Sequence, residues 1–75
     1  MSTELASVPK NAKERIVVSD AEYNGIELVD IRVYFQADDG EWHPTKKGVS
    51  LRWALFGELL AALNGIERPK AGGRI

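Results

Sequence analysis

The sequence predicts an α+β domain: a curved four-stranded antiparallel sheet, connected as a meander and followed by one C-terminal helix. Three features predict it. A long alternating run, Ile26 to about Ala37, is preceded by Asn24-Gly25, a two-residue hairpin signal in which both central residues take positive φ. Short strand-like runs follow one another through tight turns, which favours pairing between chain neighbours. From Arg52 to Asn64 the apolar spacing changes from two to between three and four, the period of a helix.

Taken in order, residues 1–13 (MSTELASVPKNAK) mix small, polar and charged side chains around Pro9 without a sustained period, and predict a flexible N-terminal arm. Arg15 to Asp20 is rich in β-branched residues and predicts a first strand. The second strand begins at Ile26. One face of it carries Glu27, Val29, Ile31, Val33 and Phe35, which is nearly all apolar and should meet a core. The other carries Ile26, Leu28, Asp30, Arg32 and Tyr34 and is mixed. Asp38-Asp39-Gly40 is a turn, since the alternating acids of a calcium loop are missing. Glu41 to Pro44 predicts a third strand, Thr45-Lys46-Lys47-Gly48 a basic turn, and Val49 to Leu51 a fourth strand. The helix then runs from Arg52 to Asn64, with Ser50 a better N-cap than Arg52, and Gly65 as its stop. The folded unit spans 14–65, and 66–75 reads as a flexible basic tail.

Composition narrows the function. Seventy-five residues without cysteine exclude a disulfide framework and thiolate metal sites. His43 is the single imidazole, so no metal and no cofactor are expected, and no nucleophile–base pair marks an enzyme. No apolar run approaches the ~20 residues of a membrane span, and no signal pattern opens the chain. A soluble, intracellular protein is expected, in cytoplasm or nucleoid, or in the nucleus of a eukaryote. The net charge of −1 argues against a domain that grips duplex DNA through phosphates alone, but leaves room for base stacking beside a local basic groove.

Candidate binding residues interleave aromatics with cations: Tyr23 and Asn24 at the first hairpin, Arg32, Tyr34 and Phe35 on the long strand, and Trp42, His43, Lys46 and Lys47 beyond it. Bases stack on such aromatics while cations follow the phosphates. The helix is apolar on several sides, with Trp53, Phe56 and Leu60 at helical spacing. One small sheet covers only one of those sides, so a homodimer through this helix is expected.

The blocks LVDIRVYF, the acidic glycine turn, and EWHPTKKGVSL resemble the transcriptional coactivator family of positive cofactor four (p15), including its small bacterial and phage members. The likeness covers about Arg15 to Leu63. It implies four antiparallel strands and a helix, dimers joined through the helices, and single-stranded DNA laid across the sheets. Little sequence specificity would follow, with a role in transcription regulation or in replication and recombination. By the same resemblance Phe35 and Tyr23 stack on bases, Arg32, Lys46 and Lys47 hold the backbone, and His43 adds a weak contact. Alternation alone puts Phe35 and Arg32 on opposite faces, and a bulge or bend in the long strand would bring them together. RNA is the other nucleic-acid ligand compatible with these residues. The rival reading is a protein-interaction module, a coactivator or adaptor docking a transcription or replication factor.

Overall fold

The computed structural model describes residues 2–67. Strands β1 (Ser2–Asn11), β2 (Glu14–Tyr23), β3 (Ile26–Gln36) and β4 (Trp42–Arg52) are followed by helix α1 (Trp53–Asn64). They form one open antiparallel sheet in the order β1-β2-β3-β4, as the sequence predicts. The β2–β3 hairpin is its most regular part. Asn24 and Gly25 both take positive φ, 52° and 81°, and the register runs unbroken from Tyr23↔Ile26 to Glu14↔Phe35.

The strand count is as expected, but two strands are not the expected ones. The stretch 1–13, expected to be a flexible arm, is strand β1 from Ser2 onward, so the folded unit starts well before residue 14. It pairs with β2 on one side only, with register shifts between Glu4 and Ala6 and between Pro9 and Asn11. An edge strand held by backbone hydrogen bonds, with neither face buried, needs no alternation and tolerates a proline. The expected third and fourth strands are a single strand, β4. The segment between them is not a turn but a bulge. Thr45, Lys46 and Lys47 all stand opposite Val33 alone, between the pairs Arg32↔Gly48 and Tyr34↔Pro44. From residue 68 on, the expected basic tail lies outside the described residues.

Alternation and register divide the sheet into two faces. Arg15, Val17, Ser19, Ala21 and Tyr23 of β2 share the first face with Tyr34, Arg32, Asp30, Leu28 and Ile26 of β3. Ile16, Val18 and Asp20 share the second with Val33, Ile31 and Val29, and with Val49 and Leu51 of β4. Helix α1 begins over this second face. The Trp53 indole donates to Asp20 Oδ1 at 3.2 Å, and Asp20, Val29 and Leu51 form one rung, of which Val29 is fully buried.

The helix ends differ from expectation in detail. Arg52 takes the N-cap position without a side-chain cap, and Ser50, the expected cap, lies within β4 with its hydroxyl on Asp30. Gly65 closes the helix with φ −90°, in a right-handed rather than a left-handed cap. No helical residue is buried in the single chain. Leu55, Leu60 and Leu63 are each about half exposed, and Phe56 meets Trp53 edge to face at 5.5 Å. No helix among the described residues is long and apolar enough to cross a membrane.

Candidate nucleic-acid interface

Arg32 organises the middle of the first face. Its Nε and Nη2 donate to the two carboxylate oxygens of Asp30 at 3.0 and 2.8 Å, a paired geometry that fixes the guanidinium plane. Nη1 donates to the Thr45 carbonyl at 3.0 Å, and the Ser50 hydroxyl donates to Asp30 at 2.6 Å. The Arg32 hydrogen bonds hold the Asp30 carboxyl below the usual aspartate range. Partial burial opposes that shift, while Ser50 and the charge of Arg32 support it. Each nitrogen of Arg32 is therefore already engaged, which leaves one N–H on each terminal nitrogen for a ligand.

The same residues shape the bulge. The Thr45 hydroxyl donates to the Val33 carbonyl at 2.7 Å and accepts from the Lys47 N–H at 3.1 Å. Thr45 is thus pinned inward, and Lys46 and Lys47 project as an exposed basic crest at the β4 edge. Gly48 lets the strand rejoin the sheet: a β-carbon there would lie 2.3 Å from the Ile31 carbonyl oxygen and 2.7 Å from the Arg32 Cα. Only glycine allows that approach.

The predicted site residues do not all meet. Tyr23, 68% exposed, stands at the hairpin tip on the first face with Arg32 and half-buried Tyr34, and Asn24 forms the turn beside it. Phe35 lies on the second face, 40% exposed and tilted against His43 with ring centroids 5.6 Å apart. No bulge in β3 brings Phe35 round to Arg32, since β2 and β3 pair without a break; the irregularity falls on β4 instead. Lys47 borders an apolar depression of the second face formed by Ile16, Ile31, Val33 and Val49.

Charge follows the same division. Arg15, Arg32 and Arg52 fall on the first face with Glu4 and Asp30, whereas Glu14, Asp20, Glu22 and Glu27 fall on the second. The Asp38–Gly40 turn carries no free acid pair, because Asp39 accepts the Glu41 N–H at 2.9 Å. Among the described residues no three His, Cys, Asp or Glu side chains converge as metal ligands.

Residues 10–62 match the family model described as Transcriptional Coactivator p15 (PC4). The chain belongs to this family. It is similar to a PC4 homologue of Burkholderia pseudomallei at 33% identity in two crystal forms. The orthorhombic form gives a TM-score of 0.80 over 84% of this chain and 85% of that one. The tetragonal form gives 0.79 over 85% and 94%. A bacteriophage T5 homologue of the eukaryotic transcription coactivator PC4, implicated in recombination-dependent DNA replication, shares the fold. It has 22% identity and a TM-score of 0.66 over 83% of this chain and 72% of that one. No curated protein sequence matches the chain.

This PC4-family chain also places residues on the first face that sequence reasoning left out. Arg15 sits opposite Tyr34, and its guanidinium lies 4.0 Å from the centre of the Trp42 ring. A signal for Arg15 was present: a two-residue Asn-Gly hairpin sets the register of everything before it. For Arg52 there was none, because its position depends on the bulge; Trp42, a candidate from the sequence, is found on this face opposite Gln36.

Proposed function

We propose that the protein binds single-stranded DNA as a homodimer with little sequence preference, as a binding protein rather than an enzyme. One observation carries this reading. On the first face Tyr23, Tyr34 and Trp42 are interleaved with Arg15, Arg32 and Arg52, which outnumber the acids Glu4 and Asp30 there, while Glu14, Asp20, Glu22 and Glu27 lie on the other. A polyanion is drawn to one face and repelled by the other even though the whole chain is slightly acidic. The unstacked bases of a single strand can reach those rings, whereas the bases of a duplex cannot. Membership of the PC4 family supports the reading, as does the role in DNA replication attributed to the phage relative.

Tyr23 stacks on a base at the hairpin tip, and Asn24 hydrogen-bonds beside it. Lys46 and Lys47 hold phosphates at the β4 edge, while Arg32 positions the bulge and offers its remaining N–H groups. Phe35 and His43 are met where the strand passes over that edge. The half-exposed leucines of α1, with Trp53 and Phe56, pack against a second copy. The setting is intracellular, in transcription regulation or in replication and recombination.

Fluorescence anisotropy with labelled single-stranded DNA, duplex DNA and RNA of one sequence tests this. Tyr23→Ala and Phe35→Ala should each weaken single-strand binding by about one power of ten. Replacing Lys46 and Lys47 together by alanine should lower the salt slope by roughly 0.7 per lost phosphate contact. A duplex preference, or unchanged affinity in both aromatic variants, would overturn the proposal. The apolar depression of Ile16, Ile31, Val33 and Val49 favours a second reading, a protein-docking module, which gains if no nucleic acid binds.

A further inference from the structure

The chain contains the dipeptide Asn-Gly twice, at Asn24-Gly25 and at Asn64-Gly65. Asparagine before glycine is prone to cyclise, because glycine has no β-carbon to shield its nitrogen. All four residues are exposed, so access to water does not separate the two sites. Backbone geometry does. Asn64 is the last residue of α1, and the Gly65 N–H donates to the Ala62 carbonyl at 3.1 Å. A helical ψ of about −42° turns that nitrogen away from the Asn64 side chain.

At the hairpin tip the same two residue types are held differently. Asn24 has φ 52° and Gly25 φ 81°, and no carbonyl among the described residues accepts the Gly25 N–H. In a two-residue turn the ladder bonds belong to the flanking pair, here Tyr23 and Ile26, which are 68% and 41% exposed. Opening this last rung frees ψ of Asn24 with little loss of packing, as at other exposed strand ends. Apart from its chain neighbours, no atom lies within 4 Å of where a β-carbon on Gly25 would stand, so the rotation meets open space.

We propose that Asn24 is a self-modification site, the residue at which the folded chain deamidates while Asn64 is spared, and that its product weakens single-strand binding. The Gly25 nitrogen, its proton taken by hydroxide, attacks Asn24 Cγ. A new C–N bond closes a cyclic imide, and the side-chain amide C–N bond breaks. The amino group leaves as ammonia with a proton from water, which restores the hydroxide. Water then adds to the ring. Attack at the side-chain carbonyl gives aspartate, and attack at the main-chain carbonyl gives isoaspartate, through whose side chain the backbone then runs. Water is consumed, ammonia is released and nothing is oxidised. Either product sets a carboxylate beside Tyr23, where it repels phosphate. Isoaspartate also adds a methylene to a turn whose two-residue length sets the register. The effect on affinity rests on the single-stranded DNA reading above, and the chemistry stands without it.

The test ages the protein at mildly alkaline pH and physiological temperature, folded and in urea, and digests it with trypsin, which puts residues 16–32 and 53–70 on separate peptides. Mass spectrometry reads the exchange of a side-chain NH2 for OH. In the folded protein peptide 16–32 should react several-fold faster than peptide 53–70, whereas in urea the two should react at similar rates. Aged wild type should lose several-fold in affinity for labelled single-stranded DNA by anisotropy. Asn24→Gly, whose Gly-Gly turn keeps the hairpin but has no amide to lose, should hold its own starting affinity through the same ageing. Equal rates in the folded protein, or a faster peptide 53–70, overturn the site. Deamidation at Asn24 with unchanged affinity overturns its effect on binding. Fresh protein that binds no single strand overturns the DNA reading and that effect with it, and the peptide masses then decide the site alone.

Discussion

Replacing Gly48 by alanine should damage this fold more than any other single methyl group added to the sheet. Gly48 rejoins β4 to β3 directly after the bulge. An alanine β-carbon would meet the Ile31 carbonyl oxygen at 2.3 Å, the Arg32 Cα at 2.7 Å and the Arg32 Cβ at 3.0 Å. Unstrained heavy atoms stay about 3.5 Å apart, so β4 must retreat by roughly 1 Å at this rung. The two nearest atoms are backbone and cannot rotate aside. Overpacking of this kind costs about 1–3 kcal/mol, and a rigid neighbour puts Gly48→Ala near the upper end. With a urea slope of about 1 kcal/mol per M for so small a domain, the midpoint should fall by roughly 2–3 M. The same retreat pulls the Thr45 carbonyl from Arg32 Nη1, so binding should weaken in step, under conditions where the variant is still folded. Urea titration followed by tryptophan emission and circular dichroism reads the first effect, and anisotropy reads the second. A Gly48→Ala protein within ~0.5 kcal/mol of wild type, the scatter of ordinary surface changes, would refute the reasoning.

Two further predictions concern the Asp30 network and the helix. Because Arg32 lowers the folded-state pKa of Asp30, the stability this carboxylate contributes is complete above its unfolded value of about 3.9 and is lost as pH falls through the lower folded value. Asp30→Asn should therefore be less stable than wild type at neutral pH, by about 2 kcal/mol for the charged hydrogen bonds removed, and should show a shallower loss in acid. Parallel urea midpoints from neutral pH down to acid would contradict that assignment. Leu60 is 45% exposed on a helix with no buried residue. Leu60→Glu should yield a monomer by sedimentation velocity at concentrations where wild type sediments as a dimer, and a monomeric wild type would remove the basis for this expectation.

Local chemistry made the centre of the fold legible. Asn24-Gly25 admits one turn and hence one register, the alternation from Ile26 to Gln36 separates two faces, and the apolar period after Arg52 is helical. Those features and the blocks LVDIRVYF and EWHPTKKGVSL were enough for the fold class and the family. Strand β1 was not legible, because an edge strand with neither face buried has no pattern to display and its pairing is made by backbone groups that every sequence shares. Nor was the unity of β4. Thr45-Lys46-Lys47-Gly48 has the composition of a turn, and only the Thr45 hydroxyl on Val33, the Arg32 guanidinium on Thr45 and the fit of Gly48 against β3 turn it into a bulge within one strand. That long-range geometry also decided that the Thr45 carbonyl meets Arg32, that no bend in β3 carries Phe35 round to it, and that Arg15 and Trp42 meet. Residue type and spacing carry propensities, whereas the partner of each side chain depends on which strands the register brings side by side.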